Sequence, residues 1–294
     1  MGTVRRDEVH QHLAERRRRL NESRALSPLK AVLLRFKEID GANQGVLISV
    51  QLFTVVIPLM ILGFSYFKGF AENVNPGSVW IRELGLTGAT SDTVRGAFGD
   101  TAALRSLWSV LGVAAFLVWG IPMSIMVASM FAKAWQREQF GTGQKLARGA
   151  LWFLLYVTML VLRERIAYGA EYTGASQLLM FVIALVPVWM FWSLTPLVLV
   201  RDGGHGVKYL ALAGLAGVLI DGIAIPIAGR IIFPGVIDAW TNFGPIGVAM
   251  AIMTWCGVLG TGWVITACVG AVLWERTAPT DTVLEAQTAE TADA

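Results

Sequence analysis

Hydrophobic positions gather into six long segments, at about 45–67, 107–131, 147–168, 178–200, 207–229 and 245–273. A helix needs roughly 20 mostly apolar residues to cross a bilayer, and five segments reach that length easily. The third is apolar, Arg148 apart, only from Ala147 to Leu162, so it reaches full length by including Arg163-Glu164-Arg165. The fifth contains Asp221. Ahead of them, Leu29, Val32, Leu33 and Phe36 repeat at i, i+3, i+4, i+7, with Lys30, Arg35 and Lys37 off that stripe. Ser27 suits an N-cap and Pro28 the first helical position. Residues 27–44 therefore predict an amphipathic helix on the inner membrane surface. The expected fold is all-α: a polytopic membrane bundle of six transmembrane helices over 45–273, preceded by this interfacial helix.

The ends differ from the middle. Residues 1–26 form a charged head, with Arg16-Arg17-Arg18-Arg19 at its centre. An arginine run suits nucleic acid or anionic lipid, and its place before membrane spans favours lipid headgroups and retention of a cytoplasmic terminus. No nucleic acid is expected as partner. No signal peptide is expected either, because the first long apolar run starts at Gly45. Residues 274–294 are polar and acidic, and predict a disordered tail.

Composition agrees with the pattern. Hydrophobic residues make up 55% of the 294 and charged ones 15%, with a mean hydropathy of +0.58. These values exclude a soluble enzyme, a disordered chain and a disulfide scaffold. With the amino terminus inside, 17 Lys and Arg fall in inner segments and 7 in outer loops. Both termini are therefore expected in the cytoplasm.

Candidate chemistry resides in the few polar groups near the spans. A carboxylate inside a spanning helix costs roughly 2.5–3.5 kcal/mol, so Asp221 needs a partner or a wet cavity. Arg163 and Arg165 end the third span on the same expected side, and Arg230 ends the fifth. These residues form either a polar lining for an anionic headgroup or a proton-coupled step, or a structural ion pair between helices. Gln51, two turns into the first span, suits a hydrogen bond that glues helices together. Pro58, Pro122, Pro187, Pro196 and Pro226 are expected helix kinks. The pairs Ala213/Gly217, Gly247/Ala251 and Ala267/Ala271 permit close helix contact, as internal packing more readily than as a dimer face.

Other features carry less chemistry. Cys256 and Cys268, in one apolar run, read as small packing residues that cannot bridge each other. No histidine or cysteine spacing suits zinc, and neither metal nor cofactor is expected. Gly141-Thr142-Gly143-Gln144-Lys145 lacks P-loop spacing and reads as a basic turn. Arg201-Asp202-Gly203-Gly204-His205-Gly206 reads as a tight loop between spans. In the first outer loop, Ser91-Asp92 predicts a short helix through Phe98, and Val79-Trp80-Ile81 an interfacial dip. Phe233-Pro234-Gly235 with Trp240 predicts an interfacial turn in the 230–244 loop.

Three stretches resemble the YihY/virulence-factor BrkB family, also labelled ribonuclease-BN-like. Leu34-Arg35-Phe36-Lys37-Glu38-Ile39-Asp40-Gly41, leading to Gln51-Leu52-Phe53-Thr54-Val55-Val56-Ile57-Pro58, is similar to that family's entry helix and first span. Gly206-Val207-Lys208-Tyr209-Leu210-Ala211-Leu212-Ala213-Gly214 looks like the start of its fifth span, with Tyr209 where tryptophan is frequent. Phe243-Gly244-Pro245-Ile246-Gly247-Val248-Ala249 through Thr254-Trp255 looks like its glycine-led last span. The likeness covers about residues 30–274 and leaves out both ends. It implies a multi-pass protein of the bacterial inner membrane, for which envelope or lipid transport is the expected work. The chain is thus expected to be a transporter or flippase-like protein for a lipid or amphiphilic anion, and not an enzyme. The alternative is a structural or assembly partner in an envelope complex, or a homo-oligomer; the family label adds RNA processing as a third.

Overall fold

The computed structural model describes residues 24–66, 87–97, 120–168, 175–204, 206–240 and 245–283, with 18, 21, 81, 118 and 243 singly. The arginine run apart from Arg18, the expected dip at 79–80, the first part of the second predicted span and residues 284–294 lie outside them. The described residues are helical, with no strand among them. In chain order, α1 is Pro28–Glu38, α2 Gly41–Tyr66, α3 Gly88–Ala97 and α4 Gly120–Ala134. Then follow α5 Thr142–Tyr168, α6 Ala175–Leu199, α7 Val207–Gly217, a π-helical turn Val218–Ala224, α8 Ile225–Trp240 and α9 Pro245–Thr277.

Among the described residues, four stretches are long and apolar enough to cross a membrane: Thr142–Ala167, Ser176–Leu199, Val207–Trp240 and Ile246–Thr277. They match the third to sixth predicted spans to within one residue where those spans extend past them. The first predicted span falls in α2, whose side chains are described only as far as Val55. The second ends in α4, which runs three residues past the expected limit to Ala134.

Several expectations are corrected where helices run further than the pattern suggests. Thr142 to Lys145 is no turn but the opening of α5, where the Lys145 N–H donates to the Gly141 carbonyl at 2.9 Å. The expected loop at 230–244 is largely helix: Arg230 and Phe233-Pro234-Gly235 all lie within α8. The short helix expected from Ser91 starts earlier, at Gly88. Glu275 belongs to α9 and not to a free tail, and residues 280–283 form a further helical turn with Val283 fully buried.

Helix α1 forms as its cap predicts: the Lys30 N–H donates to Ser27 Oγ at 3.3 Å. Its rotation is the surprise. The face against the protein is Ala31, Arg35 and Ile39, all buried. The expected stripe points away, with Leu29 70% and Leu33 59% exposed. Arg35, expected among the solvated lysines, is 6% exposed.

The chain divides into two compact units. One holds residues 1–42, 127–219 and 264–294; the other holds 43–126 and 220–263. In the first, α5 packs on α6 through aromatic rings. Trp152 lies 5.6 Å from both Tyr156 and Phe191, and its indole N–H donates to Thr195 Oγ1 at 3.1 Å. That bond satisfies the polar groups of an otherwise apolar layer. Helix α7 closes on α6 at glycines: a Cβ on Gly217 would overlap the Trp192 ring, and one on Gly214 would overlap Ser193 Oγ. The small residues of this helix thus serve internal packing.

In the second unit, α9 meets α2 in the same manner. A Cβ on Gly260 would stand 2.7 Å from the Gly45 carbonyl oxygen and 2.8 Å from Ser49 Oγ. Phe233 of α8 packs edge-on against Trp255 of α9 at 5.9 Å. Cys256 and Cys268 are free and fully buried, as their apolar setting predicts.

Candidate functional site

Asp221 lies close to the middle of the 34-residue stretch Val207–Trp240 and is 4% exposed. It sits inside the π-helical turn, next to buried Gly222. The turn has a local cause. Pro226 has no N–H, so it cannot donate to the Gly222 carbonyl four residues back, and its ring crowds that carbonyl. Widening the turn to i→i+5 pairing passes over the missing donor, and such turns recur at functional sites. Pro226 was expected to kink the helix; it is the second residue of α8, directly after the π turn. From α9, Gly262 approaches closely: a Cβ there would stand 2.6 Å from Ile225 Cδ1 and 3.6 Å from Ile220 Cγ2. Helix α9 therefore braces the residues that flank Asp221.

The other predicted site residues are distributed unevenly. Arg230 shares the second unit with Asp221 and is exposed on α8. Arg163, half-buried, and Arg165, exposed, end α5 in the first unit. Asp221, Arg165 and Arg230 each take part in a hydrogen-bonding or electrostatic contact. Gln51 does not act as the expected glue through its carbonyl: that oxygen is buried and accepts no hydrogen bond among the described residues. Pro187 and Pro196 lie inside α6, Pro122 is exposed on α4, and Pro58 lies in α2.

The first unit contains a second polar centre, where helix C-termini gather. Arg35 Nη1 donates to the Ala134 carbonyl that ends α4, at 2.6 Å. Its Nη2 donates to both carboxylate oxygens of Glu275, at 3.0 and 3.1 Å. Arg24 donates to the Glu275 and Ala278 carbonyls at 2.6 Å each, and to Thr280 Oγ1 at 2.9 Å. Arg148 donates to the Val198 carbonyl near the end of α6, at 3.0 Å. Three helix ends thus each meet a guanidinium, which satisfies orphan carbonyls and opposes the negative end of the helix dipole. Arg276 Nη2 donates back to the Leu26 carbonyl at 2.6 Å, so the two ends of the described chain are tied together.

Two tryptophans complete this centre. Trp135 and Trp274 lie 5.6 Å apart, ring to ring, and Arg137 sits over Trp274 at 5.3 Å. All three are under 9% exposed. Neither indole N–H finds an acceptor among the described residues. Sequence reasoning missed this centre. Its available signals were the Ala31/Arg35/Ile39 spacing, which places arginine on a helix's inner face, and the apolar neighbours of Glu275.

Comparison with protein-family models, with curated proteins and with solved structures finds no match for this chain.

Proposed function

We propose that this chain is a six-span protein of the bacterial inner membrane, of the YihY/BrkB type, that moves a lipid or amphiphilic anion. The observation that carries the reading is Asp221, a carboxylate buried in a widened turn at the middle of a membrane-length helix. Ionisable groups at that depth serve pathways more often than packing. Discontinuous helices are the usual builders of transport sites.

Two further observations support the topology. Residues 24–26 contact residues 275–280, so both ends of the described chain share one side of the first unit. A chain whose ends meet on one side crosses the bilayer an even number of times, which suits six spans. The excess of Lys and Arg in the inner segments puts that side in the cytoplasm. Gln51 and Arg230, in the same unit as Asp221, are the further lining groups of this reading.

The rival reading is an assembly partner in an envelope complex. The tight glycine contacts at Gly214 and Gly217 in the first unit and at Gly260 in the second favour it, since they describe close helix packing within each unit. Purified protein in liposomes carrying labelled lipids separates the two. Transport predicts protein-dependent lipid movement that Asp221→Asn abolishes while helicity and elution volume are kept. Absence of protein-dependent movement across anionic and zwitterionic headgroups would overturn transport and leave the partner reading.

A further inference from the structure

The loop Gly203-Gly204, with Gly206, leads into the amino terminus of α7, and no side chain caps that terminus. Gly206 is the N-cap, at φ 68°, a backbone region that a Cβ disfavours. The Tyr209 N–H turns back to the Gly206 carbonyl at 2.9 Å, which leaves Val207 and Lys208 to present the first N–H groups of the helix. Such a terminus attracts anions through oriented N–H groups and the positive end of the helix dipole.

An independent observation points to the same place. A Cβ on Gly206 would stand 3.2 Å from both Trp274 Nε1 and the Thr282 methyl, so this indole nitrogen lies beside the N-cap. Trp274 is 2% exposed and its N–H has no acceptor among the described residues. A buried donor without an acceptor is costly, and native proteins rarely keep one without a reason. The surrounding charge suits an anion. Arg137 lies over the Trp274 ring at 5.3 Å, and Lys208 stands in the first turn of α7. Of the neighbouring carboxylates, Glu275 is turned to Arg35, and Asp202 and Asp281 are exposed.

The geometry points to an oxyanion site at the amino terminus of α7, formed by the Val207 and Lys208 N–H groups, the Trp274 indole N–H and the Arg137 charge, for a phosphate group. Glycine at 206 is part of the site, because a Cβ there would crowd the indole nitrogen and its φ of 68° disfavours a side chain. The phosphate comes either from an anionic glycerophospholipid headgroup or from free phosphate. The site belongs to the first unit and stands independently of transport through Asp221.

The test uses the full chain in detergent, with isotope-labelled tryptophan observed by NMR and Trp274 assigned from Trp274→Phe. Sodium phosphate and short-chain phosphatidylglycerol are titrated separately. A saturable shift of the Trp274 indole signal with either probe supports the site. A response to phosphatidylglycerol at lower concentration identifies a lipid headgroup; a response to phosphate alone identifies a free-anion site. By calorimetry, Trp274→Phe weakens binding about tenfold, since one strong donor is lost. Gly206→Ala weakens it as well, and Arg137→Gln provides a third variant should either of those fail to fold. The proposal is overturned if neither probe moves the Trp274 signal at millimolar concentration, or if affinity is unchanged in the folded variants.

Discussion

Arg35 and Glu275, 240 positions apart, meet as a bidentate ion pair with both side chains 7% exposed or less. The pair clamps α1 to the end of α9, and Arg35 also holds the last carbonyl of α4. Burying both charges is offset by their mutual attraction and by these added bonds. Removing Glu275 leaves buried Arg35 with only the exposed Glu38, at 3.6 Å, as a carboxylate partner. Glu275→Ala is therefore expected to destabilise the protein by about 3–5 kcal/mol. The double variant Arg35→Met, Glu275→Leu should recover most of that loss. Reversible unfolding in mixed micelles, measured as a double-mutant cycle, checks both. Equal losses for the single and double variants would show that packing around α1, and not the pair, holds this end.

The same clamp fixes which face of α1 looks outward. Leu29, Leu33 and Phe36 lie about 100–160° around the helix from Arg35, and Lys30 and Lys37 lie on the side beyond them. One side thus meets protein, the next is apolar, and the third is charged, which suits a helix lying in the headgroup plane. Nitroxide labels at positions 29 and 33 are expected to show oxygen accessibility typical of lipid in proteoliposomes, and labels at 30 and 37 that of water. Uniform aqueous accessibility at all four would refute contact with the bilayer.

Gly217 and Gly235 offer a contrast within one long stretch. A Cβ at Gly217 would overlap Trp192, whereas one at Gly235 meets nothing within 4 Å. Gly217→Ala should lower the unfolding temperature, because the α6–α7 contact must open. Gly235→Ala should leave it unchanged or raise stability by up to about 1 kcal/mol through helix propensity. Melting curves followed by circular dichroism decide the order of the two.

Pro226 is expected to be the cause of the π turn. Pro226→Ala restores an N–H that can donate to the Gly222 carbonyl and return the segment to α-helical pairing. Loss of one residue of widening turns Asp221 by roughly 100° relative to α8. A structure of the variant, or amide exchange at residues 222–227, checks this. Persistence of the π turn would place its cause in the packing of Ile220 and Ile225 against Gly262.

Local order was legible in the sequence, because each turn of helix needs only its own few residues. The Ser27 cap, the helical nature of the described apolar segments and the continuation of α5 through Arg163-Glu164-Arg165 all follow from spacing and propensity. The buried charge at Asp221 was visible for the same reason: a carboxylate among apolar residues marks itself. Helix ends were less legible. Pro234 and Gly235 ordinarily stop a helix, yet α8 continues to Trp240, held where Phe233 packs on Trp255. What only the tertiary structure decided are relations between distant residues. Periodicity showed that Leu29 and Leu33 share a face, but the rotation of α1 is set by Glu275 and by the Ala134 carbonyl. Likewise Gly206 read as a turn residue until Trp274 came to face it. Partners so far apart in sequence leave no local trace, because the energy that joins them arises only once the helices have packed.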